Sequence, residues 1–228
     1  MFGRFSRRFV VDSVVVASFV GLLEECGLPP SFFHMRTTLQ GHATDRTPCT
    51  ADDFFDFIAA APSCEDAVGP PRQIAGFSVS FDSSATHCGA GFWREDNRLI
   101  ASTQGDTVLL EAIAMIAGAV PRAGQVNVPW CIRRIYKLRD VDVTEFDAGV
   151  APLGVKRKPF RSEGRTAQYL LRKWCRTIAM LSIVQLKDWQ FVVLESTYDN
   201  PLTPRVTEEL SKRCVDLGGS VIWEDNTP

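Results

Sequence analysis

The chain has 228 residues, 45% apolar and 23% charged, with a formal charge of −2 and a pI near 6.0. This is ordinary globular composition, long enough for one large α+β domain or two small ones with a substantial core. The pI argues against a dedicated DNA-coating protein, and fifteen Phe against three Tyr point to aromatic mass used as core filling.

Met1–Arg8 is basic and Phe9–Leu23 is apolar, which resembles a targeting segment. Asp12 interrupts the apolar run, and Glu24 and Glu25 end it too early to span a bilayer. A folded reading is more economical: a strand at Arg7–Val11, Asp12 as N-cap, and a helix over Ser13–Cys26 closed by Gly27 and Pro29. No membrane partner is expected.

A strand is read at Phe33–Leu39. Thr50 and Asp53 then form a capping-box start for a helix over Ala51–Ala61, which Pro62 ends. Pro62–Arg72 reads as a surface connection. Ile74–Phe81 alternates as a strand, with Phe77, Val79 and Phe81 on one side. His87–Arg94 and Arg98–Thr103 complete a meander, with Glu95-Asp96-Asn97 as a tight turn. Thr107–Ala119 is an apolar helix.

The second part opens with a strand over Trp130–Val141, one side of it basic. Thr144–Arg161, with Pro152, Gly154 and Pro159, reads as a loop. Ser162–Leu186 reads as the longest helix, with Leu170, Leu171, Trp174, Ile178, Leu181 and Ile183 on its apolar side. A strand over Trp189–Thr197 follows. Thr203-Pro204 marks the start of a helix over Arg205–Leu217, Gly218-Gly219 its end, and Ser220–Glu224 a last strand.

The expected fold is therefore α+β, with mainly antiparallel sheets and packed helices in two sheet-containing lobes, residues 1–120 and 130–228. No alignable internal repeat is visible in the residues.

The charges are sorted along the chain. Residues 120–176 carry thirteen Lys or Arg against five Asp or Glu, whereas residues 9–119 carry five against fourteen. Such blocks suit either an internal face-to-face arrangement or a charged partner. The basic residues singled out as partner-binding are Arg133, Lys137, Arg139, Lys156, Arg157, Lys158, Arg161, Arg165, Arg172, Lys173 and Arg176. Four of these, Arg165, Arg172, Lys173 and Arg176, would share one side of the long helix. Phosphate backbones would bind such a patch in a salt-dependent way, although only Trp130, Tyr136, Phe160 and Tyr169 offer interleaved aromatic rings.

The seven cysteines are scattered, with no Cys-x-x-Cys pair, which suits buried thiols in a reducing, cytoplasmic compartment. His34, His42, Cys49, Cys64, His87 and Cys88 invite a metal site, but zinc ligands usually come as closely spaced pairs, so no metal is expected. Cys88 with His34 or His42, oriented by Asp45 or Asp106, is the one nucleophile–base set available. No phosphate loop, dinucleotide fingerprint, Gly-x-Ser-x-Gly elbow or His-Glu-x-x-His run is present, and no cofactor is expected. The acidic sets Asp52-Asp53-Asp56 and Glu208-Glu209 read as solvated helix residues.

The leading expectation is a non-enzymatic cytoplasmic binding protein that recognises or inhibits another macromolecule, as a regulator or immunity-type inhibitor does, through charged surfaces. The alternative is nucleic-acid binding through residues 133–176, and the second alternative is a Cys/His-dependent enzyme.

Overall fold

The computed structural model describes residues 8–39, 42–60, 72–81, 88–95, 98–105, 107–121, 131–163, 165–196 and 200–224. The chain divides into two compact units, Met1–Val126 and Asn127–Pro228. Each carries one antiparallel sheet with helices, an α+β architecture. No helix among the described residues is long and apolar enough to cross a membrane.

The first unit runs β1 (Arg8–Val11), α1 (Ser13–Glu25), β2 (Pro30–Leu39), β3 (His42–Cys49), α2 (Ala51–Ala59), β4 (Arg72–Phe81), β5 (Cys88–Glu95), β6 (Arg98–Gln104), α3 (Thr107–Ile116) and β7 (Val120–Pro121). Its sheet order is β3-β2-β4-β5-β6-β1-β7. The local signals for α1 and α2 act as expected. The Asp12 carboxylate accepts from Val15 N at 2.8 Å. Thr50 and Asp53 close a reciprocal capping box, Asp53 N donating to Thr50 Oγ1 at 3.1 Å and Thr50 N to Asp53 Oδ2 at 2.9 Å. Phenylalanine fills the core: Phe19 meets Phe81 and Phe92 edge-on, and Phe54 contacts Phe33, Phe77 and Phe92 at 5.3–5.9 Å between centroids.

The second unit runs β8 (Cys131–Leu138), a 3-10 turn (Val143–Phe146), α4 (Asp147–Val150), a 3-10 turn (Ala151–Leu153), β9 (Lys156–Glu163), β10 (Thr166–Lys173), β11 (Arg176–Gln185), β12 (Gln190–Ser196), α5 (Thr203–Asp216) and β13 (Ser220–Glu224). Its sheet order is β13-β8-β12-β11-β10-β9. On one face Tyr136, Leu138, Leu171, Leu181, Ile183, Val192 and Leu194 pack with Val206, Leu210 and Cys214 of α5 and with Phe146 and Val150. The C-terminus of α5 closes with Gly218 at φ +79, Gly218 N donating to Val215 O and Gly219 N to Cys214 O. A Cβ on Gly219 would lie 2.7 Å from Cys214 O and 2.8 Å from Leu138 Cγ, so the chain needs glycine there.

The expected helix over 162–186 does not exist. The segment holds the end of β9 and all of β10 and β11, and the expected loop before it ends in β9. Every residue from Ile178 to Val184 is buried, so both faces of β11 are covered. Continuous burial removes the period-two pattern and leaves an apolar run that fits a helix equally well on paper. Two further differences are local. Thr203 lies inside α5 rather than capping it, its Oγ1 donating to Ile178 O at 3.3 Å, and Asn200 Oδ1 accepts from Leu202 N instead. The strand β3 was not expected at all, and the expected residues His87, Asp96, Asn97 and Asp106 lie outside the described residues.

The two units share one topology. In both, a strand is followed by helix, four strands, helix and a final strand. The five pairings β1–β6, β1–β7, β2–β4, β4–β5 and β5–β6 correspond in order to β8–β12, β8–β13, β9–β10, β10–β11 and β11–β12, all antiparallel. The first unit differs by the inserted β3 and α2. The insertion pairs β3 onto β2, whereas the equivalent β9 is left as the edge of its sheet.

Candidate functional site

The structure splits the eleven basic residues into two groups. Most of the first group make contacts within the fold. Arg157 lies half-buried under the sheet edge, its Nε and Nη2 bonded to the two Asp147 carboxylate oxygens at 2.8 and 2.9 Å. Its guanidinium also sits 5.0 Å from the Tyr169 ring. The Asp147 bonds, which outweigh desolvation, raise the Arg157 pKa further. Arg133 donates from Nε to Ser196 Oγ at 2.8 Å, and Lys137 lies 4.1 Å over the Trp189 ring. Arg172 braces a turn through Nη2 to Cys175 O at 2.6 Å. Arg139 is exposed just past β8, and Arg165 is half-buried between β9 and β10.

The second group lies on the edge strand β9 and at the adjoining β10–β11 turn. Lys156, Lys158 and Arg161 are exposed on β9, and Arg176 is exposed at the start of β11, with Lys173 half-buried beside it. In the ladder Lys156 pairs with Arg172, Lys158 with Leu170 and Arg161 with Gln168. Those three partners alternate along β10, so they share a face, and so do the three cations opposite them. Lys158 and Arg161 are an odd number of residues apart and would face opposite ways in a regular strand. The register shift between them, with Pro159 opposite Tyr169 and Phe160 extra, restores the match and turns Arg161 to the Lys side. Arg157, opposite Leu171, is turned to the helix-packed side, where it meets Asp147.

Two exposed aromatic rings lie on the same pair of hairpins, Phe160 on β9 and Trp174 in the β10–β11 turn. Trp174 is 90% exposed and Phe160 53% exposed. Trp174 and Cys175 form the two-residue turn between β10 and β11, closed by the Lys173–Arg176 pair. Such hairpin turns demand a positive φ at their first central residue, which favours glycine or asparagine, and Trp174 holds φ +55. Left-handed backbone costs a residue with a Cβ about 1–2 kcal/mol, and Trp174 recovers little of that by burial. The expected role of Trp174 on the apolar side of a helix is thus replaced by full display at a hairpin tip. Of the aromatics expected to interleave with the charge, Tyr136 is core, Tyr169 supports Arg157, and Trp130 lies outside the described residues.

A buried polar row missed by sequence reading crosses the same sheet. Gln168 Nε2 donates to Ser182 Oγ at 3.3 Å, and Ser182 Oγ donates to Glu195 Oε2 at 3.4 Å. All three are sealed from solvent, Glu195 at 1% exposure. They hold neighbouring strands in register rather than face a partner.

The Cys/His set is dispersed in the backbone ladder. His34 pairs with Ser78 on β4, while Cys88 pairs with Phe81 three positions along and two strands from β2, roughly 14 Å apart by strand rise and spacing. His42 pairs with Leu39 at the far end of β2. Among the described residues no group of three His, Cys, Asp or Glu is placed to hold a metal ion. Cys175 is an exposed free thiol, whereas Cys214 is buried and its pKa is pushed up to about 12 by desolvation.

In comparisons with known proteins, no family model matches this chain and no curated protein matches its sequence.

Proposed function

We propose that this protein binds nucleic acid along the basic edge of its second unit. The observation that carries the reading is the exposed Trp174 at the tip of the hairpin that pairs with β9, with Lys156, Lys158 and Arg161 exposed along β9 and Arg176 exposed at the turn. Cations neutralise phosphates, and a displayed aromatic plane gives a base a surface to stack on. An acidic protein would use the same cations but has less use for a strained, solvent-facing indole. Strand addition by a peptide is also disfavoured. Lys156, Lys158 and Pro159 are the residue types that blunt an edge strand, and Pro159 has no N–H to offer an incoming chain. A polymer lying on this edge is therefore held by side chains rather than by backbone pairing.

The test is fluorescence anisotropy with a labelled twelve-nucleotide oligomer in low salt, run beside labelled polyglutamate of equal charge. The reading predicts saturable binding of the oligonucleotide and at least tenfold weaker binding of polyglutamate. Equal affinity for both would transfer the site to an acidic protein partner, and absence of binding to either would remove the edge as a site.

A further inference from the structure

Resting on that reading, we infer that the bound form is single-stranded, and that Trp174 and Phe160 are two base-stacking platforms at the ends of one extended track. Phe160 lies on the edge strand β9, and Trp174 at the tip of the adjoining β10–β11 hairpin. Phe160 sits at the β9 bulge next to Pro159, which is opposite Tyr169, and Trp174 follows Tyr169 by five residues along β10 and its turn. At a strand rise of about 3.4 Å that offset is roughly 17 Å. About five nucleotides cover it at the stacked rise of about 3.4 Å, and fewer when drawn out, near the low end of known single-strand site sizes. Lys156 and Lys158 fall between the rings in register, and Arg161 follows Phe160, all three turned to one face. Cations thus run between two aromatic ends, the arrangement that tracks a backbone while the bases turn onto the rings.

A duplex does not use this arrangement, because its base faces are covered by their neighbours and only its phosphates are available. The duplicated topology shows how the two units differ at this position among the described residues. The strand position that β9 leaves free is filled by β3 in the first unit, where the eight residues His42–Cys49 lie alongside β2. In the first unit that position holds one extended segment, whereas among the described residues no strand pairs with the outer side of β9.

The experiment compares a labelled oligo(dT) twelve-mer with a twelve-base-pair duplex, using the parent chain, Trp174→Ala, Trp174→Phe and Phe160→Ala. The inference expects the single strand to bind more tightly than the duplex. Trp174→Ala should weaken single-strand binding between about fivefold and about a hundredfold, with Trp174→Phe restoring most of it, while duplex binding changes less than twofold. Because Trp174 is exposed at a turn, both Trp174 variants should fold, as circular dichroism and melting would check. Equal loss for both nucleic acids, or no loss for either, overturns the stacking inference while leaving nucleic-acid binding standing. No binding of either form by the parent overturns the underlying reading as well.

Discussion

Arg157 and Lys158 are neighbours in a run of three basic residues, and the structure assigns them opposite consequences. Arg157→Ala removes a bidentate, charge-assisted pair with Asp147 and a contact with the Tyr169 ring. Hydrogen bonds to charged groups contribute about 1.5–3 kcal/mol net. The Arg157 side chain is 14% exposed but that of Asp147 is 47% exposed, which places the pair at the lower end of that range. The stacked ring adds about 0.5 kcal/mol, so the loss is about 2 kcal/mol. In a unit of this size that lowers the melting temperature by about 8–16 °C. Lys158→Ala, at an exposed edge position, should change stability by less than about 0.5 kcal/mol. Thermal unfolding of both variants by circular dichroism, with oligonucleotide affinity measured in parallel, gives the comparison. Arg157→Ala should be unstable yet bind within twofold of the parent, and Lys158→Ala stable yet weaker in binding. Equal stability of the two variants would refute the division of the basic block into fold and surface groups.

Other consequences follow from the same geometry. Cys175 should react with a thiol reagent within minutes in the native chain and be shielded by bound oligonucleotide. Cys214, buried and titrating near 12, should react only on unfolding, and simultaneous labelling of both in native buffer would contradict its placement. The Asp53 carboxylate is held below its usual range by hydrogen bonds from the Thr50 backbone and hydroxyl. A depressed folded pKa adds stability above the unfolded value of about 3.9 and loses it as pH falls through the folded one. Asp53→Asn should therefore flatten the acid limb of first-unit stability below about pH 4 and leave it lower at neutral pH, as urea titrations at several pH values would register. Gly219→Ala should destabilise the second unit by about 1–3 kcal/mol through the clash with Cys214 O and Leu138, a figure that a neutral effect in urea unfolding would disprove.

What was legible in the residues was what is locally encoded. Asp12, Thr50 with Asp53, and Gly218-Gly219 mark helix ends through bonds made within a few positions, and α1, α2 and the end of α5 follow from them. The alternation of Phe77, Val79 and Phe81 is likewise visible because one side of β4 is apolar core. Residues 162–186 failed for the opposite reason. Burial on both faces of β11 erased the alternation, and the Trp174-Cys175 turn contains none of the residues that usually announce a hairpin. Gly164 inside the supposed helix was the one available warning, since glycine weakens a helix interior. The basic block was visible as composition, but its division was not. That depends on which residue of Lys156-Arg157-Lys158 meets Asp147, and on a bulge that turns Arg161 toward the lysines. The duplication was invisible because it resides in the order of strand pairing, which two unrelated-looking stretches of residues satisfy with different side chains.

The salt dependence of single-strand binding, compared between the parent and Lys156→Ala/Lys158→Ala/Arg161→Ala, tests the central claim most directly. Each phosphate contact contributes about −0.7 to the slope of log affinity against log salt for a single strand, so removing three cations should make the slope shallower by about 2. A shallower slope of that size, with Arg157→Ala retaining the parental one, is the predicted result. Identical slopes for the parent and the triple variant would show that the β9 edge does not carry the nucleic acid.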